Sequence, residues 1–303
     1  MVSNSKIVLG GAQFGMDYGS TNTSKKINFK NLSKILAFAY KNKINTIDTA
    51  ATYGVSEKEI GVYLSKNLEK KFKIYTKLPT INYIEKKNKK TIKSIIEKNI
   101  DNSLHLLNVS SVEGLAVHNS SNFFKKKKIY LDCIKLLKKK KKIKNFGVSI
   151  YNPLELKKIY KIREIDFIQL PINILDNRWD HTLLNRIKKR GTKIFARSIF
   201  LRGLLFFKKK QKWPLSLNEK NKIKISINEI ISKYSKKNII GITFAYLNSL
   251  PFLSGIVCGF NSMSQFKQIN KLKNIRRLKV DQKNYLIGKF DFINRKILDG
   301  RNY

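Results

Sequence analysis

The chain has 303 residues, 42% of them hydrophobic, enough to bury about three quarters of the surface its unfolded form exposes without a disulfide scaffold. Its formal net charge of +43 invites a nucleic-acid reading, but the excess is nearly all lysine, spread along the chain beside abundant Ile and Asn, as AT-rich coding alone would produce; a specific nucleic-acid partner is disfavoured and loose, salt-sensitive sticking to polyanions is expected. No apolar run approaches the roughly 18 residues of a membrane span, and the start, MVSNSKIVLGG, lacks the apolar region of a signal peptide, so a cytoplasmic protein is expected.

In chain order, short β-branched or apolar runs alternate with longer stretches of helical period. Ile7–Leu9 reads as a strand, Lys30–Asn42 as a helix, Thr46–Asp48 as a strand and Ser56–Leu68 as a helix. A strand at Lys73–Lys77 precedes a helix at Thr91–Leu107, and a strand at Val112–His118 precedes a helix at Lys125–Lys141. Asn145–Ser149, Phe167–Pro171, Lys193–Arg197 and Gly255–Cys258 complete eight strands, followed in turn by helices at Pro153–Ile162, His181–Arg190, Asn218–Ser235 and Ser264–Leu272. Start and stop chemistry agrees: Ser56 stands before Glu57 and Glu59, Asn152 precedes Pro153, and Gly191 follows Arg190. Each helical crossover returns the chain to the same end, which implies a parallel sheet, and eight units in about 300 residues fit a closed (β/α)8 TIM barrel spanning residues 1–303 as one domain. Cys133 (YLDCIKLL) and Cys258 (GIVCGF) lie in apolar runs without metal-ligand spacing and read as core thiols.

In such a barrel the site gathers where the strands end and the βα loops begin. The second strand ends in Asp48, with Tyr53 in the loop behind it; the third ends in Lys77 and the fourth in His118. Each alone has an ordinary structural reading: an aspartate starts a turn, a tyrosine fills a gap. Together a carboxylate, a phenol, an ammonium and an imidazole form a proton-donating group for an oxygen that gains negative charge, as a carbonyl oxygen does when hydride reaches its carbon. The ammonium is expected to lower the phenol's pKa, and the carboxylate to hold the ammonium charged. His105 in NSLHLL reads as a helix-surface or core residue, His181 as a residue near the mouth, and Trp179 as a candidate pocket wall. LGGAQFG is not GxGxxG, because Ala12 takes the second glycine's place, and not a P-loop, because no lysine follows Gly15.

LGGAQFG (9–15), IDTAATYGVSEKEIG (47–61), YTKLP (75–79), LAVHNS (115–120), FGVS (146–149), FIQLPINILD (167–176) and ARSIFLRGLL (196–205) resemble the aldo-keto reductases over nearly the whole chain. That resemblance implies Tyr53 as proton donor, Lys77 and Asp48 as its tuning pair, and His118 as orienter of the carbonyl. It also implies a nicotinamide cofactor across the barrel mouth. Gly10 and Gly11 match a close backbone approach after the first strand; Ser149 and Gln169 match positions that hold the carboxamide; Ser198, Gly203 and Leu204 fall in the segment that wraps the pyrophosphate. Ile150 stands where many members carry an amide-binding Asn, and Arg197 where many place an aromatic that stacks on the nicotinamide; a guanidinium plane can also stack, so Arg197 is expected among the cofactor-binding residues. GFNSMSQFKQIN (259–270) resembles the adenosine-phosphate segment, with Gly259, Asn261, Ser262 and Gln265 at its binding positions and Lys267 and Lys271 nearby, which inclines the expectation to NADP over NAD.

The expected activity is reduction of an aldehyde or ketone, a small-molecule carbonyl; the QLPINILDNRW segment resembles family members associated with surface-sugar pathways, and that resemblance implies a sugar-derived carbonyl. The substrate pocket is expected from irregular stretches: Ala12, Phe14, the segment after His118, the Trp179 region and the tail after Asn284. Two other functions compete, a cofactor-binding barrel that regulates a partner, as the related potassium-channel β-subunits do, and a lysine-rich nucleic-acid binder.

Overall fold

The computed structural model describes residues 6–19, 25–207, 215–234 and 238–298. Eight parallel strands close into a barrel in sequential order: β1 (Ile7–Gly10), β2 (Thr46–Asp48), β3 (Lys73–Leu78), β4 (Val112–Val117), β5 (Ile143–Ser149), β6 (Phe167–Pro171), β7 (Lys193–Arg197) and β8 (Gly255–Cys258). β1 closes the ring by pairing with β8, Ile7 opposite Ile256 and Leu9 opposite Cys258. The (β/α)8 architecture expected from the alternation is the one observed. The helices around it are α1 (Ala12–Gly15), α2 (Phe29–Lys41), α3 (Ser56–Ser65), α4 (Lys89–Leu107), α5 (Ser120–Lys125), α6 (Lys127–Lys139), α7 (Pro153–Tyr160), α8 (His181–Lys189), α9 (Leu217–Lys233), α10 (Ile239–Asn248), α11 (Met263–Leu272) and α12 (Val280–Gly288).

Local chemistry explains most boundaries. Asn152 and Glu155 form a reciprocal capping box around Pro153 at the start of α7, and Gly191, at φ +96, ends α8 in a conformation that a side chain would oppose. α3 begins at Ser56 as expected, but the serine does not cap it with its side chain: its buried hydroxyl donates to the Gly11 carbonyl at 2.8 Å, which ties α3 to the turn after β1. The helix expected over 125–141 is α6, Lys127–Lys139; a separate short α5, capped by Asn119, precedes it and ends at Lys126 (φ −131, ψ 37). The chain between β7 and β8 carries α10 as well as the expected helix; Gly241 to Leu247 are all buried, so no amphipathic stripe marked it. The tail after Asn284 was expected to be irregular, but α12 runs through its first residues to Gly288. Ser235, the last residue of the helix expected over 218–235, lies outside the described residues. Among the described residues no helix is long and apolar enough to cross a membrane.

The barrel interior is layered. Tyr75, Phe167 and Phe195 meet inside it with ring centroids 5.0 to 5.9 Å apart and form an aromatic plug with Val8 and Ala116. Glycines make the room: a Cβ on Gly147 would stand 2.5 Å from the Phe167 ring, and one on Gly255 would stand 2.5 Å from Phe195. Side chains alternate faces along a strand, so the residues two further on, Lys77, Gln169 and Arg197, also point inward, one layer nearer the C-terminal rim.

Candidate active site

At that rim Asp48 and Lys77 form an ion pair at 2.7 Å in which both side chains are almost wholly excluded from solvent, 5% and 1% exposed. The lysine ammonium also donates to the Thr49 carbonyl at 2.8 Å, and the second oxygen of Asp48 accepts from Gln169 Nε2 across the barrel at 2.5 Å. Burial lowers the Lys77 pKa and Asp48 opposes that shift. A buried pair of this kind repays its desolvation only when the remaining donors and acceptors are satisfied, as three strands and one loop arrange here.

Tyr53 lies above the pair. Lys77 Nζ is 5.2 Å from its ring centroid, and His118 meets the same ring edge-on at 5.9 Å. The phenol's pKa was expected to be depressed; instead it is raised well above the ordinary tyrosine value, by burial first and by Asp48 second, with Arg197 opposing. Burial is the larger cause, and the Asp48 carboxylate, 2.7 Å from Lys77, offsets the ammonium's field at the phenol. His118 is the first residue beyond β4, though its N–H still bonds the Leu78 carbonyl at 3.4 Å. Burial, then the charges of Lys77, Arg197 and Arg202, lower its pKa to about 3, so the imidazole is neutral near pH 7. Its Nδ1 stands 3.3 Å from Thr52 Oγ1.

These four side chains open onto one cavity of about 450 Å³. Gly10, Gly11 and Gly259 line its floor, and Arg197, Ser198 and Gly203 line the side formed by the chain after β7. Asn261 and Gln265 line the far end, joined by Gln268. Leu204 is fully buried behind the cavity, and Ser262 caps α11 by accepting from Gln265 N at 3.2 Å. Lys267 does not line the cavity; its ammonium lies over the Phe38 ring, 5.9 Å from the centroid. Ser149 and Gln169 lie side by side in register at the ends of β5 and β6, both buried. Ile150, fully buried, contributes only backbone, its N–H to the Gln169 carbonyl and its carbonyl to Arg197.

Ala12 lines the cavity and Phe14 does not. Trp179, expected as a pocket wall, is a buried pin whose indole donates to the Pro171 carbonyl at 2.7 Å. His181 packs on Phe252 away from the cavity. Tyr18, Thr52, Tyr151 and Arg202 were not anticipated. Tyr151 and Arg202 lie within or beside quoted motifs, whereas Tyr18 sits in irregular chain and carries no sequence signal.

The chain matches the Aldo/keto reductase family over residues 6–288. It belongs to that family. The reductase barrel also superposes on solved relatives. The holo form of an aldo-keto reductase from Bacillus halodurans aligns with TM-score 0.72 at 18% identity, covering 93% of this chain and 90% of that one. Two structures from Pseudomonas aeruginosa assigned to the aldo-keto reductases align with TM-scores 0.65 and 0.64 at 18% and 17% identity, covering 90% of this chain and 90% and 91% of theirs. At these identities the structures speak to the fold. No curated protein matched the chain.

The family implies a nicotinamide cofactor, and the residues present fit one. Ser149 Oγ and Gln169 Oε1 are buried without a hydrogen-bond partner, an acceptor-capable pair that a carboxamide N–H would satisfy. After β7, Ser198, Leu201 and Arg202 hold φ of 53, 48 and 53 with Gly203 at 98, a run of left-handed residues along the cavity wall. Such a run costs free energy in a chain with no ligand to hold and turns backbone N–H groups toward an anion.

Proposed function

We propose that this family member is a nicotinamide-dependent carbonyl reductase, and the observation that carries the reading is the buried Asp48–Lys77 pair set beneath Tyr53 and His118 at the cavity. A raised phenol pKa means Tyr53 keeps its proton through the neutral range and gives it up only to an oxygen that is gaining charge. Lys77 then stabilises the phenolate left behind, and Asp48 and the Thr49 carbonyl fix where its charge sits. If the Thr52 hydroxyl donates to Nδ1, the neutral His118 ring carries its proton on Nε2 and can donate a second hydrogen bond to the same oxygen. The bound cofactor supplies hydride to the carbonyl carbon. Ser149 and Gln169 would hold the carboxamide, the strained segment from Ser198 to Arg202 the diphosphate, and Asn261 and Gln265 the adenosine end.

We take the cofactor to be NADP and the substrate a small aldehyde or ketone, sugar-derived on the motif reading. Purified protein mixed with NADPH or NADH and a panel of aldehydes tests this, with nicotinamide absorbance followed over time. Aldehyde-dependent loss of the reduced cofactor is expected. Tight cofactor binding with no turnover of any carbonyl would favour a regulatory barrel instead.

A further inference from the structure

One buried carboxylate stands outside the group described above. Glu57, in the first turn of α3, is 2% exposed and does not line the cavity. It lies behind the barrel wall. Thr76 alternates with Tyr75 and Lys77 along β3, so its side chain points outward, and its hydroxyl donates to Glu57 Oε1 at 2.6 Å. Ser103 on α4, also buried, bonds the same carboxylate. One helix turn is thus joined to both partners of the proton transfer: Tyr53 lies in the loop leading into α3, four residues before Glu57, and Lys77 follows Thr76 on β3.

Hydroxyl bonds alone do not call for a charge at this place. A glutamine oxygen would accept from Thr76 as well, without the cost of burying an ion. A neighbouring cation does call for one. Lys77 is the charged group whose field bears on Glu57, and that field opposes the rise in pKa that burial imposes on the carboxylate. Lys77 in turn keeps its proton against burial and against Arg197 on β7, helped by Asp48 on β2 and by Glu57. Tyr53 and the neutral His118 ring are the other titratable groups beside it. Inside the barrel one carboxylate therefore faces two cations, and Glu57 adds a second from the far side of the strand.

We propose that Glu57 is a positioning residue for the proton transfer, a second counter-charge that keeps Lys77 an ammonium from the outer side of β3. The proposal rests on the carbonyl-reductase reading above. Glu57 acts through Lys77 and touches neither substrate nor cofactor. Once Tyr53 has given up its proton the ammonium is what stabilises the phenolate, and a lysine that had lost its own proton would leave that phenolate unsupported.

The test is the pH profile of kcat/KM for aldehyde reduction by the full chain, wild type against Glu57→Gln, at saturating NADPH. Its alkaline limb reports the first proton lost by the coupled Tyr53–Lys77 pair. Removing a nearby negative charge lets that proton go more readily, whichever of the two groups it leaves, so the limb should move to lower pH by about one unit. Glu57→Asp keeps the charge but reaches the hydroxyls less well; its limb should stay with wild type while its stability falls. Should Glu57→Gln fail to fold, Glu57→Met combined with Thr76→Val and Ser103→Ala removes the hydroxyls together with the carboxylate and should show the same shift. A profile lowered equally at every pH would mean that Glu57 only supports the fold, which overturns the proposal and leaves the reductase reading standing. Failure to reduce any aldehyde would instead count against the reductase reading, and urea unfolding at mildly alkaline pH then decides the charge coupling by itself. Lys77→Met should lower the urea midpoint less in the Glu57→Gln background than in wild type; equal drops would contradict the proposal.

Discussion

The lower and upper layers of the barrel interior are built on the same strands and the same faces, two residues apart, yet they obey opposite rules. Tyr75, Phe167 and Phe195 fill the lower layer with rings, and glycines at 114, 147 and 255 yield space to them. Lys77, Gln169 and Arg197, one step further along β3, β6 and β7, are polar. The lower layer closes the barrel against water, and this dry floor is what makes the Asp48–Lys77 pair strong and costly to break. The upper layer itself divides: Asp48 and Lys77 satisfy one another, while Ser149, Gln169 and Arg197 retain unused capacity. One half is finished before any ligand arrives and the other is completed by one.

The largest effect should come from unpairing the finished half. Lys77→Met leaves the Asp48 carboxylate buried without its cation and is expected to cost about 3–5 kcal/mol in denaturant unfolding, along with essentially all turnover. Adding Asp48→Asn to Lys77→Met should recover much of the stability and none of the activity; a double variant no more stable than the single one would show that the pair is not coupled as described. Next is the plug. Gly147→Ala forces a methyl against the Phe167 ring and should destabilise by about 1–3 kcal/mol, and Phe167→Leu in the same chain should relieve it.

The open half should behave the other way. Ser149→Ala removes a buried hydroxyl that has no partner, so unfolding free energy should hold or rise while nicotinamide affinity falls about tenfold, one hydrogen bond's worth. An unchanged affinity would remove Ser149 from the cofactor site.

The last test is a pH dependence. The folded pKa of His118, about 3, lies below the ordinary histidine value of about 6.5, so the unfolded chain takes up its proton first as pH falls. The stability linked to this residue is present above about 6.5 and is lost as pH drops toward about 3. His118→Gln should flatten the stability profile across that window relative to wild type, measured by urea unfolding at each pH. A parallel pair of profiles would place the folded pKa of His118 near its ordinary value.

Most of the barrel was legible because strand and helix periods alternate cleanly and each strand is short and β-branched. What escaped was context. Nothing local distinguishes α10, whose burial on all sides comes from packing beneath its neighbours, or tells that Ser56 spends its hydroxyl on Gly11. Three of the four rim side chains could be read as strand-end residues, and Tyr53 as the loop residue behind one of them. The direction of the Tyr53 shift could not, since it depends on how closely Asp48 shields Lys77 and how deeply the phenol sits. Trp179 was misjudged for a similar reason: an aromatic near a strand end can face the cavity or pin a loop, and the Pro171 carbonyl decided it.

The most direct test of the central claim is to compare wild type with Tyr53→Phe, measuring NADPH affinity and aldehyde-dependent NADPH oxidation on the same preparations. Equal affinity with turnover reduced by about 10³-fold or more is the predicted result, since only the transferable proton has been removed. A Phe variant that still reduces aldehydes at near the wild-type rate would contradict the assignment of Tyr53 as the acid.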